Sequence, residues 1–414
     1  MQIKWNPATS LRAEIVLPSS KSISNRALII NALSGDGGAL ENVSECDDTR
    51  VMLRALKENP STVDIMAAGT AMRFLTAYYA ATLGSDKVMT GTARMQQRPI
   101  RVLVDALRRM GAQVDYVKEE GYPPLHVRGK ALECQEVSLQ GNVSSQYISA
   151  LLMIGPLMKG GLRLHLEGEI ISRPYIQLTL QLMKDFGAEA EWVDDATIEV
   201  KHVPYRPMDF VVENDWSAAS YWYEMVALSA DTHAEVVLPG LYASSYQGDS
   251  AVARMFEPLG VCTRYDEGKN RVTISKCERT VERMDYDFVN QPDLAQTLVV
   301  TCVMLGIPFR FTGLQSLKIK ETDRMAALVC ELGKLGFVLH EEADSILSWS
   351  GERCTPQADV SIDTYEDHRM AMAFAPIAMV QGGLVINNPQ VVSKSYPGFW
   401  NDLKSVGFIT EEGE

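Results

Sequence analysis

The chain has no apolar stretch that reaches the roughly 18 residues needed to span a bilayer. Its start, Met-Gln-Ile-Lys-Trp-Asn-Pro, lacks the apolar region of a secretory signal. The seven cysteines are odd in number and scattered, without a CxxC pair or a Cys/His spacing suited to a metal. We therefore expect a cytoplasmic protein that does not enter membranes, has no metal site and keeps its cysteines as reduced core thiols.

Basic residues are also in short supply. The sequence has 39 Lys and Arg against 53 Asp and Glu, a formal net charge of -14. This balance argues against nonspecific nucleic acid binding and against an anionic membrane surface. GxGxxG, P-loop, HExxH and GxSxG sequences are missing too, so nucleotide, metal and serine-nucleophile chemistry lose their usual support. Cations for an anionic ligand would have to be concentrated locally.

What the chain does contain is a long internal repeat. At 414 residues it is about two to three times the size of a typical domain, and 46% hydrophobic content is that of a soluble globular protein. An amphipathic helical pattern that ends in Gly and runs into a strand-like stretch recurs along it. The terminal residues are Asn59 in a weaker first copy, then Gly111, Gly187, Gly260, Gly336 and Gly407. Six copies of about 69 residues predict small α/β units, three per domain.

One charged segment could be a small site. Lys318-Ile-Lys320-Glu321-Thr-Asp323-Arg324 leads into the apolar run Met325-Ala-Ala-Leu-Val. If the segment is one helical turn, Lys320 and Arg324 repel each other by roughly 0.2 to 0.5 kcal/mol unless an anion lies between them. Glu321 would then supply an acid or base beside that anion. The alternative is a solvated helix start in which Arg324 pairs locally.

Four predicted helices begin with hydroxyl residues or glycine, which leave backbone N–H groups open to an anion. Their starts are Ser19-Ser20-Lys21-Ser22 with Arg26, Ala68-Gly69-Thr70 with Arg73, Val143-Ser144-Ser145-Gln146, and Ser172-Arg173-Pro174-Tyr175. Basic residues at a helix N-terminus oppose the helix dipole, so Lys21 and Arg26 indicate a bound anion. Ordinary N-caps remain the alternative for each serine.

Four more polar residues have both a functional and an ordinary interpretation. Asp293 is a catalytic base or an N-cap, and His368 is functional or a hydrogen-bonded histidine at a helix start. Lys394 binds an anion or lies on the surface, and Arg98 binds an anion or flanks the next helix. The residues alone leave these alternatives open.

The chain resembles a known family through nine short motifs. In order, they are SSKSISNRAL, AAGTAMRFL, RMQQRPI, VSSQYISALLM, SRPYIQLTL, QPDLAQT, LKIKETDRM, YEDHRMAMAF and SKSYPGFW, between about residue 17 and residue 400. They resemble the motifs of the 5-enolpyruvylshikimate-3-phosphate synthase family in order and in spacing. The resemblance implies an α/β protein with the two-domain enolpyruvyl transferase fold, an inside-out α/β barrel with three βαβαββ repeats per domain.

By this resemblance, residues 19–213 form the N-terminal domain, and residues 1–18 with 214–414 form the second, with the active site in the cleft between them. The boundary agrees with the change near residues 212–215 from a Pro-interrupted β-rich stretch to the helical Trp216-Ser-Ala-Ala-Ser-Tyr-Trp. The domains are expected to close on substrate.

The resemblance also implies the reaction. Family members move the enolpyruvyl group of phosphoenolpyruvate to the 5-hydroxyl of shikimate 3-phosphate and release phosphate through a tetrahedral intermediate, on the pathway to chorismate and the aromatic amino acids. No metal or organic cofactor is implied. We expect a monomer whose partners are these two small molecules and neither nucleic acid nor membrane.

Site residues carry over motif by motif. The family's shikimate 3-phosphate contacts correspond to Lys21, Ser22, Arg26, Ser144, Ser145, Gln146, Ser172, Tyr175, Asp293, Ser316 and Lys320. Its phosphoenolpyruvate contacts correspond to Lys21, Gly69, Arg98, Gln146, Arg324, Arg369 and Lys394. Asp293 corresponds to the proton acceptor and Glu321 to the proton donor, with Lys21 and His368 as helpers.

Two positions depart from the family pattern. Ala67 and Ser316 stand where many members have Asn, which bears on fine affinity and on sensitivity to glyphosate-like mimics. Two rival functions fit the same scaffold: UDP-N-acetylglucosamine 1-carboxyvinyltransferase, whose loop Cys is missing between Arg94 and Arg98, and a noncatalytic anion-binding protein. The second would be expected to lack Asp293 or Glu321, and both are present.

Overall fold

The computed structural model describes residues 1–7, 9–35, 37–133 and 136–411, with only the backbone of Ile319. The chain divides into two compact units. Ser19–Val212 form one, named here the N-terminal unit, and Met1–Pro18 with Glu213–Glu414 form the other, named the C-terminal unit.

The strands are short. They are β1 (Gln2–Trp5), β2 (Arg12–Glu14), β3 (Leu40–Glu41), β4 (Thr62–Asp64), β5 (Asp86–Thr90), β6 (Gln113–Tyr116), β7 (Leu125–Arg128), β8 (Glu136–Gln140), β9 (Leu162–Glu167), β10 (Ala190–Trp192), β11 (Thr197–Val200), β12 (Phe210–Val211), β13 (Glu235–Pro239), β14 (Val261–Asp266), β15 (Arg271–Lys276), β16 (Met284–Asp287), β17 (Phe309–Thr312), β18 (His340–Glu342), β19 (Ile346–Trp349), β20 (Ser361–Ile362), β21 (Gly383–Ile386) and β22 (Phe408–Glu411).

The α-helices are longer and alternate with the strands. They are α1 (Lys21–Ser34), α2 (Asp47–Glu58), α3 (Gly69–Ala81), α4 (Arg101–Arg109), α5 (Ser145–Ile154), α6 (Arg173–Asp185), α7 (Trp216–Leu228), α8 (Val252–Phe256), α9 (Ala295–Leu305), α10 (Arg324–Lys334), α11 (His368–Phe374), α12 (Ala378–Gln381) and α13 (Phe399–Ser405).

Five sheets share one topology, which confirms the predicted repeat. Their strand orders are β4-β5-β7-β6, β8-β9-β11-β10, β2-β13-β15-β14, β16-β17-β19-β18 and β20-β21-β1-β22. In each, the first two strands are parallel and the remaining pairs are antiparallel. A sixth, smaller copy pairs β12 with β3 in parallel.

The first 18 residues belong with the C-terminal unit because of this pairing. β2 is the first strand in the order of one sheet, and β1 is the third strand in the order of another. The repeats end their helices as the sequence indicated. Gly111, Gly187, Gly260, Gly336 and Gly407 all have positive φ, and Asn59 closes α2 in the left-handed conformation.

Each unit has its own hydrophobic core. Helices α3 and α5 in the N-terminal unit and α7, α9 and α11 in the C-terminal unit are buried along nearly their whole length. A helix that is buried on all sides lies inside a unit, with the sheets and the amphipathic helices around it. Several predicted site residues lie at the N-terminal ends of these helices, among them Gly69 on α3, Ser145 on α5 and Arg369 on α11.

The expectation of core thiols is wrong for Cys262, Cys330 and Cys354, which are exposed, whereas Cys46 and Cys302 are buried as expected. Cys262 lies on β14, an edge strand of which only Val261 is buried. Cys134 lies outside the described residues. No helix in the described part of the chain is long and apolar enough to cross a membrane.

Candidate active site

The charged segment around Lys318 is not a helical turn. Residues Gln315–Ile319 form a short 3-10 helix, and α10 begins only at Arg324. The Asp323 carboxylate caps α10 by accepting from Ala326 N at 3.1 Å. This N-cap requires a non-helical backbone at Asp323, so Lys320 and Arg324 are not one helical turn apart. The anion that the prediction required next to both cations is the Asp293 carboxylate, 3.5 Å from Lys320 Nζ and 3.1 Å from Arg324 Nη1.

Arg324 instead lies at the centre of three carboxylates. Its guanidinium donates to Asp367 at 2.6 Å through Nε, to Glu321 at 3.0 Å through Nη2, and to Asp293 at 3.1 Å through Nη1. The side chain is 2% exposed. Burial alone would lower the pKa of Arg324, but the three carboxylates outweigh burial and raise it. The alternative of local pairing was partly correct, because Glu321 is one of the partners.

Asp293 contacts three cations from two parts of the chain. Besides Arg324, its carboxylate accepts from Arg369 Nη2 at 2.9 Å and lies 3.5 Å from Lys320 Nζ. Asp293 belongs to the short 3-10 helix Pro292–Leu294 before α9, and its carboxylate does not cap a helix. The N-cap interpretation of this residue is therefore wrong.

Asp367 is a site residue that the sequence analysis missed. Its carboxylate is fully buried, caps α11 by accepting from Arg369 N at 2.9 Å, and lies 3.7 Å from Nδ1 of His368. An acid directly before His-Arg at a predicted helix start was the available signal. We name Asp293, Lys320, Glu321, Arg324, Asp367, His368 and Arg369 the carboxylate cluster.

Two other predicted residues of this unit, Lys394 and Ser316, differ in how closely their contacts bring them to the carboxylate cluster. Lys394 donates to the Glu366 carbonyl at 2.8 Å, which brings it beside Asp367 in the chain. Ser316 is half-buried in the 3-10 helix and no contact ties it directly to the cluster in the described structure. Lys318 turns away and pairs with Glu341 and Asp344 at 2.6 Å each.

In the N-terminal unit, Arg26 is buried among neutral groups. It donates to Thr179 Oγ1 at 2.7 Å, Ser149 Oγ at 3.2 Å and the Tyr175 carbonyl at 3.4 Å. Its guanidinium also lies over the Phe74 ring, 5.3 Å from the centroid. Burial lowers the pKa of Arg26 to about 10, which leaves it charged near neutral pH.

These contacts align four helix starts. Arg26 is the sixth residue of α1, Phe74 the sixth of α3, Ser149 the fifth of α5 and Thr179 the seventh of α6. Because each contact lies in the second turn, the N-terminal ends of the four helices meet at one end of the unit. That end carries every residue that the resemblance assigns to this unit except Arg98, which comes from a loop. We name it the helix-start cluster.

The start of α3 is a narrow arginine pocket. A Cβ placed on Gly69 would lie 2.7 Å from Nη1 of both Arg73 and Arg98. Arg73 donates to the Gly69 carbonyl at 2.8 Å and lies over the Tyr147 ring, 5.5 Å from its centroid. It is 5% exposed and has no carboxylate partner among the described residues. Only a glycine lets the two guanidinium groups come this close to the helix start.

The remaining helix starts are polar and partly buried. Ser20 caps α1 and Ser144 caps α5, where it accepts from Gln146 N at 3.4 Å. The Gln146 side chain donates to Thr70 Oγ1 at 3.1 Å, beside Gly69. Lys21 lies 3.6 Å from Asp48, and Ser22 accepts from Arg26 through its carbonyl.

Ser172 precedes α6 with φ at 56°, a left-handed conformation that a serine rarely adopts. Ser145 is buried at the first position of α5, Tyr175 is half-buried at the start of α6, and Ala67 is half-buried before α3. The helix-start predictions for α1, α3, α5 and α6 are thus confirmed, although ligand contacts at these residues stay predictions.

The two clusters can do different chemistry. The helix-start cluster offers guanidinium groups, hydroxyls and helix N-termini to anions. The carboxylate cluster offers two partly exposed acids, Asp293 and Glu321, tied to one arginine, which suits proton transfer next to an anion. Among the described residues, no group of three or more His, Cys, Asp or Glu side chains is arranged to hold a metal ion.

Comparison with known proteins places the chain in a family. A family model described as EPSP synthase (3-phosphoshikimate 1-carboxyvinyltransferase) matches residues 5–59 and 58–403. A Bacteroides fragilis (strain YCH46) protein named 3-phosphoshikimate 1-carboxyvinyltransferase is 60% identical over 414 residues, which is all of both chains. A protein of the same name from Shewanella halifaxensis is 36% identical, covering 98% of this chain and 99% of its own.

Solved structures agree in fold. An EPSP synthase from Acinetobacter baumannii aligns with a TM-score of 0.76 at 20% identity, over 99% of this chain and 100% of that one. The enolpyruvyl transferase NikO from Streptomyces tendae aligns with a TM-score of 0.73 at 14% identity, over 100% and 99% of the two chains. The predicted enolpyruvyl transferase fold is therefore confirmed.

Proposed function

Because the chain belongs to the EPSP synthase (3-phosphoshikimate 1-carboxyvinyltransferase) family, we propose that it transfers the enolpyruvyl group of phosphoenolpyruvate to the 5-hydroxyl of shikimate 3-phosphate. The single observation in the structure that carries the proposal is the carboxylate cluster. Asp293 and Glu321 both accept from Arg324, at 3.1 Å and 3.0 Å, so the two acids lie on either side of one buried cation.

The reaction needs two proton transfers in each half. Asp293 takes the proton of the 5-hydroxyl as its oxygen bonds to C2 of phosphoenolpyruvate, and Glu321 gives a proton to C3. In the second half, the resulting tetrahedral intermediate releases phosphate from C2, which takes the proton held by Asp293, and a proton from C3 returns to Glu321, which restores the enol double bond. Lys21 and His368 are the proposed helpers.

Arg324 links these steps to binding. A guanidinium that donates to a carboxylate favours its ionised form, which suits Asp293 as a base but not Glu321 as an acid. An anionic substrate that draws Arg324 toward itself would weaken both bonds and let Glu321 hold a proton. In this proposal phosphoenolpyruvate binding prepares the acid, because Arg324 is one of its ligands.

The helix-start cluster supplies the other anion contacts in this proposal. Lys21, Ser22, Arg26, Ser144, Ser145, Gln146, Ser172 and Tyr175 bind shikimate 3-phosphate, together with Asp293, Ser316 and Lys320. Lys21, Gly69, Arg98 and Gln146 bind phosphoenolpyruvate, together with Arg324, Arg369 and Lys394. The support is the pocket at Gly69, where two guanidinium groups approach one helix start.

The proposal includes a monomer in the cytoplasm, with residues 19–213 and 1–18 plus 214–414 as the two domains. Its support is that one chain contains every proposed site residue. No metal or organic cofactor enters any step, because proton transfer and anion binding are all that the chemistry requires.

A phosphate-release assay tests this function. The purified protein is given phosphoenolpyruvate alone, with shikimate 3-phosphate, or with UDP-N-acetylglucosamine. We expect release only with shikimate 3-phosphate. Turnover with the sugar nucleotide instead would assign the sister activity, and binding of both anions without turnover would indicate a noncatalytic protein.

A further inference from the structure

The segment 363–367, between β20 and α11, has an unusual backbone. Two consecutive residues that are not glycine have positive φ, Tyr365 at 53° and Glu366 at 56°. A residue with a Cβ adopts this conformation at a cost, and it persists only where the surrounding contacts hold it. The next three residues are Asp367, His368 and Arg369 of the carboxylate cluster, so the segment sets where they lie.

Glu331 of α10 holds this segment. Its fully buried carboxylate accepts from the Tyr365 hydroxyl at 2.6 Å and from the Asp363 backbone N at 3.0 Å. Lys334 Nζ lies 2.7 Å from the same carboxylate and donates to Asp363 Oδ2 at 2.8 Å. Although 37% of Tyr365 is exposed, its hydroxyl turns inward to Glu331.

One helix therefore holds both ends of the segment. Arg324, the first residue of α10, bonds Asp367, and Glu331, about two turns later on the same face, bonds Asp363 and Tyr365. The strained residues lie between these two attachments. A change at the Glu331 end is thus transmitted to Asp367 through the backbone of Tyr365 and Glu366.

The segment also bears on two residues assigned to phosphoenolpyruvate. Arg369 is the second residue after it and donates to Asp293 at 2.9 Å. Lys394 donates to the carbonyl of Glu366 at 2.8 Å, so the left-handed conformation of Glu366 fixes the direction in which that carbonyl points.

We propose that Glu331 and Tyr365 are positioning residues, whose hydrogen bond holds residues 363–367 in the conformation that presents Arg369 and Lys394 to phosphoenolpyruvate. The inference rests on the proposed function. Neither residue touches substrate, and both act through the strained backbone.

The kinetic test is Tyr365→Phe, which deletes only the hydroxyl that bonds Glu331. Because a small misplacement of substrate ligands is costly, kcat/KM for phosphoenolpyruvate should fall roughly 10- to 100-fold. The KM for shikimate 3-phosphate should change little, since its proposed ligands lie outside the segment. Equal changes for the two substrates, or unchanged kinetics, would overturn the proposal.

Tyr223→Phe is the matched control. It deletes a buried tyrosine hydroxyl of the same unit, which bonds Thr263 Oγ1 at 2.9 Å. It should lower the unfolding temperature about as much as Tyr365→Phe and leave both KM values and kcat unchanged. A Tyr223→Phe enzyme with the same kinetic loss as Tyr365→Phe would mean that general destabilisation, not positioning, is responsible.

A double-mutant cycle asks whether Tyr365 acts through Arg369. Residues that act through one another give losses that do not add. Tyr365→Phe combined with Arg369→Lys should therefore lose less than the product of the two single fold-changes in kcat/KM for phosphoenolpyruvate. Losses that multiply would refute the coupling.

Hydrogen exchange separates this inference from the function itself. Amides of residues 363–369 should exchange faster in Tyr365→Phe than in the unaltered protein, and at the unaltered rate in Tyr223→Phe. Unchanged exchange in Tyr365→Phe would refute the positioning role of Glu331 and Tyr365, even in an enzyme that is fully active. Faster exchange in a protein that releases no phosphate with either acceptor would instead refute the proposed function alone.

Discussion

The two clusters treat their arginines in opposite ways. In the carboxylate cluster, Arg324 is surrounded by Asp293, Glu321 and Asp367. In the helix-start cluster, the equally buried Arg26 contacts hydroxyls, carbonyls and an aromatic ring, with no carboxylate within ion-pair distance among the described residues. Both arginines are nearly inaccessible to water.

This difference teaches what each cluster is built for. A buried cation without a counter-charge is unfavourable until an anion binds beside it. The helix-start cluster is therefore suited to binding anions. A buried cation that contacts three carboxylates already has its counter-charges, and its role is to hold those carboxylates in position. We infer that the first cluster mainly binds and the second mainly moves protons.

The largest expected effect is on turnover, through Glu321. Glu321→Gln keeps the shape and a hydrogen-bond acceptor for Arg324 but cannot give up a proton to carbon. Turnover should fall by roughly the 10²- to 10⁴-fold typical of general acid-base residues, with acceptor binding nearly intact. Steady-state phosphate release and titration calorimetry with shikimate 3-phosphate measure the two quantities.

Glu341→Gln is the control for that change. Glu341 pairs with Lys318 at 2.6 Å, outside the carboxylate cluster. Its loss should leave turnover within about twofold, as expected for a surface ion pair. Near-normal turnover in Glu321→Gln would remove the proton donor from this account.

The next largest effect is the difference in the free energy of unfolding between variants of Arg324 and of Arg26. Arg324→Met leaves three carboxylates with fewer cations and should lower the free energy of unfolding by about 3 to 5 kcal/mol. Arg26→Met removes a cation from neutral partners, and Ser149 and Thr179 already bond each other at 2.8 Å. The change there should be within about 1 kcal/mol of zero, because the lost hydrogen bonds are offset by the lost cost of burying an unpaired cation. Urea unfolding followed by circular dichroism measures both.

Arg128→Met is the control for these two variants. Arg128 makes an exposed ion pair with Asp115 at 2.8 Å, so its replacement should change the free energy of unfolding by less than about 1 kcal/mol. If Arg26→Met destabilised the protein as much as Arg324→Met, the proposed contrast between the clusters would be lost.

A smaller effect is expected at the arginine pocket. Gly69→Ala would place a methyl group 2.7 Å from Arg73 and Arg98, and the flexible guanidinium groups would have to move. The KM for phosphoenolpyruvate should rise roughly tenfold, the size of effect that a misplaced ligand produces, with stability unchanged.

Gly333→Ala is the matched control, since Gly333 lies within α10 and a Cβ there meets open space. It should stabilise the protein by about 1 kcal/mol and leave the KM unchanged. A Gly69→Ala enzyme with an unaltered KM would show that the pocket is not part of the substrate site.

The smallest prediction asks what a buried acid does without a counter-charge. Glu224 on α7 is fully buried, and neither carboxyl oxygen has a hydrogen-bond partner among the described residues. Burial raises the pKa of Glu224 well above its usual range. Unlike Arg26, the buried carboxyl group of Glu224 can be neutral, because it can keep its proton.

The sign follows from proton binding. Above about pH 4.5 the unfolded chain releases the Glu224 proton and the folded chain keeps it, so the unaltered protein loses stability as the pH rises. Glu224→Gln should thus gain stability relative to the unaltered protein at pH 7 and show no such gain below pH 4. Urea unfolding at the two pH values measures this gain.

Glu213→Gln provides the contrast. Glu213 is also buried, but it accepts from the indole of Trp216, the backbone N of Tyr242 and the side chains of Ser245 and Gln247. A glutamine cannot accept all four bonds, so this variant should be less stable at pH 7. A gain at Glu213, or none at Glu224, would contradict the interpretation of buried acids.

Local sequence signals predicted the helix starts and helix ends well. The serine caps at Ser20 and Ser144 and the six left-handed residues that end the repeat helices are properties of a few neighbouring residues. The repeat followed from them, and the common strand order of five sheets confirms it. Sequence rules for neighbouring residues are sufficient for helix starts and helix ends, because these features depend on only a few adjacent residues.

The carboxylate cluster was not predictable in the same way. Asp293 and Asp367 lie 31 and 43 residues from Arg324 in the sequence, so only tertiary packing brings them to it. Asp323, an N-cap residue type just before the apolar run, is a local signal that α10 starts at Arg324, and it contradicts a helical pair of Lys320 and Arg324. The left-handed Tyr365 and Glu366 had no sequence signal, and the carboxylate that contacts this segment, Glu331, lies more than 30 residues away on α10.

The most direct test of the account is to run the reaction in D₂O with phosphoenolpyruvate and shikimate 3-phosphate and to analyse the product by mass spectrometry. Protonation of C3 followed by loss of a proton from the same carbon predicts an enolpyruvyl ether of shikimate 3-phosphate that carries deuterium on its methylene carbon. A product without carbon-bound deuterium, or no enolpyruvyl product, would contradict proton transfer by the carboxylate cluster.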